Sequence, residues 1–522
     1  MTNGTNYKKV NVLIIGAGAA GLQCASKLLF PDDGTVEGEM SLMILEARNR
    51  VGGRIYTATQ TATKLTTGET VSFPRDIGAA WLHGTGSVTE GIEDQNPMLR
   101  LLQETTPLGQ SVAEYHLKPI FKGNGWTRPD TILHKDGRIA LYRKGERIRN
   151  DSPMIRAAIE RHYHIQLEIA KVADHLDEIE EGKQTQRLSM GQVRSELIET
   201  TVGEEKEDSS LVGDLVPFYA FLSENWHGIS EDDLQLDFVT RMEPPMQTDE
   251  LYVDEGDYEG PHCKLNHGME KVIEPLYNRV ADRIHLNEQV MTVSRRPDSG
   301  VRIQTSSGLT VDADCCISTI PVGCLQKQYK TLFTSPLTNE AIEGIQSLNT
   351  GFYKKVFLTF DEMFWQTEEP VLGLVRTADQ ADEIGRYLLV YNFLAKDSIP
   401  CLEAILCGNS GKWAVSKSDD EIRTAVLNFI EDAMNVENLA SKCVACDISR
   451  WEEDPFTLGA YSSYKLGTSE RHVEAMQEPQ WDGDLIIAGE FTEDEDMGSV
   501  FAALFSGERA ALQVREALKK KV

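Results

Sequence analysis

The chain has 522 residues, 41% of them hydrophobic, and a formal net charge of −30 at pH 7. This length and apolar content allow a large buried core divided among two to four domain-sized units. The negative charge disfavours binding to nucleic acid or to an anionic membrane and favours cationic partners, and it is equally compatible with a role in solubility alone.

The N-terminal region predicts a strand, a glycine-rich turn, a helix and a second strand. Residues 10–15, VNVLII, form a continuous apolar run typical of a parallel strand covered on both faces. Residues 22–30 predict a helix, and residues 42–45, LMIL, a second buried strand. The polar segment PDDGTVEGEM between them is expected to be a surface loop. This order predicts the βαβ unit that opens a doubly wound sheet.

The rest of the chain predicts helical segments followed by further strands. Residues 155–200 have apolar residues at helical spacing, interrupted by polar stretches such as EEGKQTQ. Residues 204–210, EEKEDSS, are expected to form a solvated loop. Residues 284–320 alternate short apolar runs around a turn at Pro297 to Gly300, which predicts a meander. Residues 484–488 predict another buried strand, and residues 499–520 a terminal helix.

Neither a targeting segment nor a metal site is predicted. Glycines interrupt the apolar stretch of MTNGTNYKKVNVLIIGAGAAG too early for a secretory signal, and no run approaches the ~20 apolar residues of a membrane span. The nine cysteines are odd in number, and several lie in apolar runs, so we expect reduced core residues. Cys443 and Cys446 form a lone CxxC without further ligands nearby. We expect a cytoplasmic protein with no membrane partner.

The motif GAGAAG follows the first predicted strand and opens the helix. Gly16 permits the tight turn, Gly18 lets the backbone approach a pyrophosphate, and Gly21 lets helix and strand pack closely. Glu46 ends the second strand, where a ribose-binding carboxylate is expected. The motif, both strands and the acid together predict a dinucleotide site, but they do not separate FAD from NAD.

A second glycine pair, Gly52 and Gly53, lies in EARNRVGGR directly after the ribose acid. It is flanked by Arg48 and Arg54, which could neutralise a pyrophosphate or shield a flavin. With this segment the chain resembles the flavin amine oxidase family, which includes polyamine, monoamine and L-amino-acid oxidases and lysine-specific histone demethylases. DIGAAWLHG at 76–84, WEEDPFTLGAYSSYKLG at 451–467 and IIAGEFTEDEDMGSVFAALFSGERAA at 486–511 carry the same resemblance.

The resemblance implies an α/β fold and non-covalent FAD. It predicts a discontinuous, doubly wound, Rossmann-like FAD-binding domain of residues 1–90, 265–330 and 450–522. An α+β substrate-binding domain of residues 91–264 and 331–449 is inserted into it. The predicted cofactor-binding residues are Gly16, Gly18, Ala20, Gly21, Glu46, Ala47, Arg48, Gly53, Arg54, Gly78, Ala79, Ala80, Trp81, Val290, Trp451, Gly489, Glu490, Ser499 and Val500.

Three residues are predicted to be catalytic by the same resemblance. Lys355 is similar to the family lysine that holds a water at flavin N5, although spacing alone confuses it with Lys354. Tyr461 resembles the aromatic residue beside the substrate, where a ring favours cation–π contact. His83, in AAWLHG, is typical of the polyamine oxidase branch. Ala460 stands where monoamine oxidases carry the cysteine that links the flavin, which favours non-covalent binding.

A polyamine substrate needs carboxylates, because each ammonium loses its hydration on entering a tunnel. Glu224, in FLSENWHGISEDDL, resembles an acid of spermine oxidases that contacts substrate, and Trp226 and His227 could line the same wall. Ser499 is also expected to bind substrate, and because it has no ring it disfavours a monoamine oxidase cage. The run Glu493 to Asp496 predicts either an acidic entrance or a solvated loop.

The sequence predicts an O2-dependent polyamine oxidase and leaves alternatives open. An L-amino-acid oxidase would need an arginine for the substrate carboxylate, and none can be assigned. A histone demethylase is disfavoured by the lack of a long coiled-coil insertion. A flavin-bound scaffold without turnover is disfavoured by Lys355 and Tyr461, and a nicotinamide-dependent dehydrogenase by the C-terminal AGE segment. The preferred polyamine, the carbon oxidised and the oligomeric state are not predicted.

Overall fold

The structure is a computed structural model, and it describes residues 7–31, 40–83, 85, 96–121, 139–149, 151–180, 188–202, 210–236, 262–366, 369–392, 394, 397–494 and 496–521. The predicted loop PDDGTVEGEM lies largely outside these residues, and so do EEGKQTQ and EEKEDSS. The remaining predicted elements all fall within them.

The first sheet is built around parallel strands from both halves of the chain. In spatial order its strands are Val290–Arg295, Val301–Thr305, Thr310–Ser318, Tyr7–Ile15, Leu42–Leu45 and Ile284–His285, with Leu485–Ile487 also paired to Thr310–Ser318. The central pairs are parallel, with Val12 in register with both Leu42 and Cys315. Residues 12–15 are buried on both faces, which explains why their sequence is continuously apolar. The predicted βαβ unit is confirmed.

Helices cover this sheet. Ala19–Leu29 follows the first strand and packs against Glu270–Val280 and Val500–Lys519. The predicted helix at 22–30 begins earlier, at Ala19, because Gly18 is extended and two alanines, which favour helix, follow it. Val500–Lys519 confirms the terminal helix.

The second sheet is mainly antiparallel. In spatial order its strands are Cys443–Ile448, Tyr353–Phe360, Cys401–Cys407, Tyr387–Tyr391, Val371–Val375, Ile139–Arg143 and Glu146–Arg147. One face packs on helix Asp419–Met434 through side chains such as Leu358 and Phe429. Because side chains alternate between faces, Lys355 lies on the opposite face together with Glu403 and Tyr391.

The remaining elements are three pairs of short strands, ten helices and four 3₁₀ turns within the described residues. Paired short strands are Thr57–Thr63 with Thr70–Asp76, Leu117–Phe121 with His262–Leu265, and Leu348–Asn349 with Ser463–Tyr464. The other helices are Pro97–Glu104, Val112–Tyr115, Pro153–Glu180, Met190–Val202, Ser210–His227, Val322–Leu332, Asn339–Ser347, Gly408–Ala414, Leu439–Lys442 and Glu470–Gln477. Short 3₁₀ turns are Ala281–Arg283, Ala378–Gln380, Trp481–Gly483 and Glu490–Thr492. The helical region predicted at 155–200 is confirmed as two helices.

The nine cysteines are free thiols, and eight of them are buried. Cys443 and Cys446 both lie on strand Cys443–Ile448, and the Cys443 thiol donates to the Ala445 carbonyl. In the part of the chain that the structure describes, no group of three or more His, Cys, Asp or Glu side chains is arranged to hold a metal ion. The helices in those residues also include none that is long and apolar enough to cross a membrane.

Candidate active site

A cavity of about 370 Å³ lies where the parallel strands of the first sheet end. Gly16, Glu46, Thr319 and Gly489 line it, and each follows directly or almost directly after one of those strands. Ligands of doubly wound sheets bind at this edge. The predicted site residues that line the cavity are Gly16, Gly18, Ala20, Glu46, Ala47, Arg48, Gly53, Arg54, Gly78, Ala79, Ala80, Trp81, His83, Trp226, Val290, Lys355, Trp451, Tyr461, Gly489, Glu490, Ser499 and Val500.

The glycine-rich turn has two different steric requirements. A Cβ on Gly21 would lie 2.1 Å from the Gly16 carbonyl oxygen, so Gly21 is needed where helix and strand cross and does not itself line the cavity. A Cβ on Gly18 would meet no atom within 4 Å, so glycine there keeps cavity space open. The Glu46 carboxylate accepts backbone N–H bonds from Ala17 and Arg48, each at 2.8 Å. The turn is therefore held in place while its cavity side stays open to a phosphate group.

Two of the three arginines of EARNRVGGR, Arg48 and Arg54, are held by carboxylates from the C-terminal part of the chain. Arg48 donates two bonds to Asp454, at 2.8 and 2.9 Å. The Arg54 Nη1 lies 2.7 Å from Glu490 Oε1. Glu490 also accepts bonds from the Ser462 hydroxyl and the Gly498 N–H, at 2.9 and 3.0 Å. These contacts join the N-terminal and C-terminal segments around one cavity, as binding of a single large cofactor requires.

Lys355 and Lys354 lie on opposite faces of their strand, which resolves the ambiguity of spacing. The Lys355 Nζ donates to the Asp76 and Gly78 carbonyls, at 2.9 and 2.7 Å, and lines the cavity. The Lys354 ammonium is instead paired with Glu452 and Glu453, at 2.8 Å each. Lys355 is thus the lysine available to the cavity.

Aromatic side chains form the wall of the cavity around Lys355, and we call this set the aromatic chamber: Trp81, His83, Trp226, Tyr353, Tyr391 and Tyr461. The His83 and Trp226 ring centroids are 4.9 Å apart, and those of Tyr353 and Tyr461 are 5.6 Å apart. The Tyr461 hydroxyl donates to the Trp226 carbonyl at 3.0 Å. Burial raises the pKa of all three tyrosines well above the usual range, so the chamber presents neutral phenols.

The sequence did not identify Tyr353, Tyr391 or Asn225, which also line the cavity. Tyr353 could have been found, because it lies two residues before Lys355 and therefore on the same face of the strand. Tyr391 reaches the chamber from strand Tyr387–Tyr391, which lies two strands away from that of Lys355, and it is in register with Glu403. Asn225 precedes Trp226 on helix Ser210–His227.

Glu224 does not join the other candidates. It lies outside the residues that line the cavity, and its Oε1 accepts bonds from the Ser230 hydroxyl at 3.1 Å and the Glu231 N–H at 2.9 Å. Successive helical residues point about 100° apart, so Asn225 and Trp226 can face the cavity while Glu224 does not. His227 also lies outside the lining, and burial lowers its pKa to about 4.

The acidic run is divided among different partners. Glu493 pairs with Arg509 at 3.1 Å, and Asp494 accepts a bond from the Tyr464 hydroxyl. Glu495 lies outside the described residues, and Asp496 lines the cavity. Of the described lining residues, the carboxylates are Asp496, Glu46 and Glu490. Ser499 caps the N-terminus of the last helix, where its hydroxyl accepts the Ala502 N–H at 3.0 Å.

A sequence model of the family described as flavin containing amine oxidoreductase matches residues 19–515. The chain is 26% identical over 536 residues to "Lysine-specific histone demethylase 1 homolog 3" of Arabidopsis thaliana, which covers 97% of this chain but 30% of that protein. It is 25% identical over 522 residues to "Polyamine oxidase 5" of Oryza sativa subsp. japonica, covering 99% of this chain and 90% of that protein.

The fold is similar to that of a solved putrescine oxidase bound to putrescine. The TM-score is 0.66 at 18% sequence identity, and the match covers 98% of this chain and all of that one. At this identity the likeness supports the fold.

Proposed function

The chain belongs to the family of flavin-containing amine oxidoreductases, its cofactor is FAD, and from this premise we propose that it oxidises polyamines. The reaction converts a secondary amine, O2 and water into an aldehyde, a shorter amine and H2O2. FAD, when bound, would supply the acceptor for the hydride that leaves the carbon next to nitrogen and the route for both electrons to O2.

The observation that carries the proposal is the combination of aromatic chamber, Lys355 and Asp496 in one cavity. Aromatic faces accommodate the methylene chain of a polyamine and attract its ammonium groups. The Asp496 carboxylate provides the opposite charge that a second ammonium needs. A simple monoamine has no second ammonium group to pair with that carboxylate.

Several cavity residues have a proposed part. Gly18 and the N-terminus of helix Ala19–Leu29 hold the pyrophosphate, and Glu46 holds the ribose. His83 accepts a hydrogen bond from the substrate ammonium, and Tyr461 orients the carbon that loses hydride. Lys355 donates to the water used in imine hydrolysis or in reoxidation. The absence of a thiol at Ala460, which lines the same cavity, supports non-covalent binding of the cofactor.

The discontinuous domain division also remains a proposal. Its support is that residues 7–45, 284–318 and 485–487 contribute strands to one sheet. Strands between 139 and 147 and between 353 and 448 form the other. The cavity lies between elements of both sheets, since Glu46 follows a strand of the first and Lys355 lies on the second.

Demethylation of N-methyl-lysine in a basic peptide is the second candidate. The demethylase relative and the net charge of −30 favour it, because a basic peptide would also be attracted. Both substrates place a secondary amine in the same chamber, so the chemistry does not separate them.

Product analysis distinguishes the two. The FAD-loaded protein is incubated in air with spermine, spermidine, N1-acetylspermine and a peptide that carries monomethyl-lysine. We expect mass spectrometry to find an aldehyde and a shorter amine from a polyamine, with one H2O2 for each. Formaldehyde and unmethylated peptide, without polyamine turnover, would replace the polyamine assignment with the demethylase.

A further inference from the structure

A chain of alternating charges lies behind the wall that Lys355 forms. The Glu403 Oε1 is 3.5 Å from the Lys355 Nζ, and its Oε2 is 3.7 Å from the Lys264 Nζ. Lys355, Glu403 and Lys264 are exposed by only 6%, 8% and 8%. Charges so shielded from water interact more strongly and are screened less by salt than charges on the surface.

Both lysines contact residues that line the cavity. Lys355 donates to the Gly78 carbonyl, and the Lys264 Nζ lies 4.8 Å from the centroid of the Trp81 ring. Trp81 and Gly78 belong to the same short segment of the cavity wall. A change of charge at Lys264 or Glu403 would therefore act on Lys355 and on the wall segment that contains Gly78 and Trp81.

We propose that Glu403 and Lys264 are positioning residues: Glu403 holds the Lys355 ammonium at the Asp76 and Gly78 carbonyls, and Lys264 controls how much of the carboxylate's negative charge Lys355 receives. The proposal rests on the proposed function, in which Lys355 acts beside the flavin. Removal of Lys264 leaves the carboxylate to Lys355 alone and favours the charged form of Lys355. Neutralising Glu403 leaves the ammonium groups of Lys355 and Lys264 without their shared carboxylate and disfavours the charged form of Lys355.

Lys264 can change charge near neutral pH. Burial lowers its pKa to about 8; Glu403 opposes that shift, and Lys355 adds to it. The Asp76 carboxyl also faces the two lysines, and burial raises its pKa. It is held by the Thr57 hydroxyl at 2.6 Å and the Met269 N–H at 2.8 Å.

The remaining titratable groups around these charges are neutral or paired elsewhere. Burial raises the pKa of the Tyr353 and Tyr391 phenols and of the Cys401 thiol, so all three stay protonated. Arg75 pairs with Asp447 at 2.5 Å. Lys118, the cross-strand partner of Lys264, donates to Asp397 at 2.8 Å in a more exposed position, and it provides a matched control.

The test compares Lys264→Met, Glu403→Gln, the double variant and Lys118→Met, all loaded with FAD. After anaerobic reduction with dithionite, the rate of flavin reoxidation by O2 is measured from pH 6.5 to 10. We expect the pH midpoint of the reoxidation rate to rise by at least 0.5 unit in Lys264→Met. In Glu403→Gln this midpoint should fall by at least 0.5 unit. The double variant returns towards the wild type, and Lys118→Met leaves the midpoint unchanged.

Urea unfolding of the same proteins provides a readout that does not depend on turnover. Between pH 7 and 9.5 the folded wild type releases the Lys264 proton before the unfolded chain does. The urea midpoint of the wild type should therefore rise relative to that of Lys264→Met over this range.

Midpoints that shift in the same direction in both single variants, or as far in Lys118→Met, would overturn the proposal, and so would a urea difference that does not change with pH. If Glu403→Gln does not fold, the double variant and Lys264→Met decide the question. Lys355→Met separates this proposal from the function itself. If that variant reoxidises normally at every pH, the role of Lys355 fails as well; if it alone is slow, only the positioning roles fail.

Discussion

Gly18 and Gly21 belong to one motif, yet the structure predicts different effects of adding a methyl group at each. Gly18 has φ −80° and ψ −177°, which alanine adopts readily, and its added Cβ would have no neighbour within 4 Å. Replacing this glycine by alanine stabilises the protein by about 0.4–1 kcal/mol, because the unfolded chain has less conformational entropy to lose. Alanine is a poorer N-cap than glycine, and this loss offsets a similar amount. We expect the free energy of unfolding of apo Gly18→Ala to lie within about 1 kcal/mol of that of the wild type.

The Gly21 methyl group would instead lie 2.1 Å from the Gly16 carbonyl oxygen and 3.2 Å from the Ile14 side chain. Helix and strand must separate by roughly 1 Å to restore an ordinary contact, and such overpacking costs about 1–3 kcal/mol or more. The gain in helix propensity, about 1 kcal/mol, offsets part of this cost. We expect the free energy of unfolding of apo Gly21→Ala to be about 2 kcal/mol below that of the wild type.

For FAD affinity, in contrast to stability, the substitution at Gly18 should be the damaging one. The Gly18 methyl group enters the space assigned to the pyrophosphate, and we expect at least about a tenfold loss of FAD affinity, which is about 1.4 kcal/mol. Urea unfolding of the apoproteins, followed by tryptophan fluorescence, gives the stabilities, and quenching of flavin fluorescence gives the affinities. If Gly18→Ala binds FAD as tightly as the wild type, the pyrophosphate does not lie where we place it.

Four further variants test other parts of the site. Lys355→Met should retain FAD but slow flavin reoxidation, measured after dithionite reduction; unchanged rates would remove Lys355 from the reaction. Arg54→Met should lower the free energy of unfolding by about 2–3 kcal/mol in urea, because Glu490 loses its buried partner; Arg54→Met with Glu490→Gln should recover part of this loss. Burial raises the pKa of Glu224 to about 7, so the folded state keeps a proton between about pH 4.5 and 7 and stability falls as pH rises through that window. The free energy of unfolding of Glu224→Gln should therefore exceed that of the wild type at pH 8 by up to about 3 kcal/mol and equal it near pH 4. Its KM for polyamines should be unchanged. A raised KM would show that Glu224 contacts the substrate.

The nucleotide end of the cavity was predictable because its determinants are local. Gly16, Gly18, Gly21 and Glu46 lie in a strand–turn–helix–strand order, and each residue has a backbone reason to be there. The second glycine pair follows within a few residues. Such a pattern needs no knowledge of distant parts of the chain.

The substrate end was less predictable because its walls come from separate elements. Strand register, which spacing does not determine, separates Lys355 from Lys354. Helix phase decides that Asn225 and Trp226 line the cavity and Glu224 does not. Lys264 and Glu403 meet Lys355 only in the folded chain, and neither lies in a motif that would mark it.

Anaerobic reduction of the bound flavin tests the central claim most directly. The FAD-loaded protein is mixed without oxygen with spermine, N1-acetylspermine, spermidine, benzylamine or L-leucine, and the loss of the visible flavin band is followed in time. We expect rapid bleaching by at least one polyamine and slow or no bleaching by benzylamine and L-leucine. Bleaching by benzylamine or L-leucine alone would contradict the polyamine assignment, and a flavin that dithionite bleaches but no amine does would contradict the proposed oxidase activity.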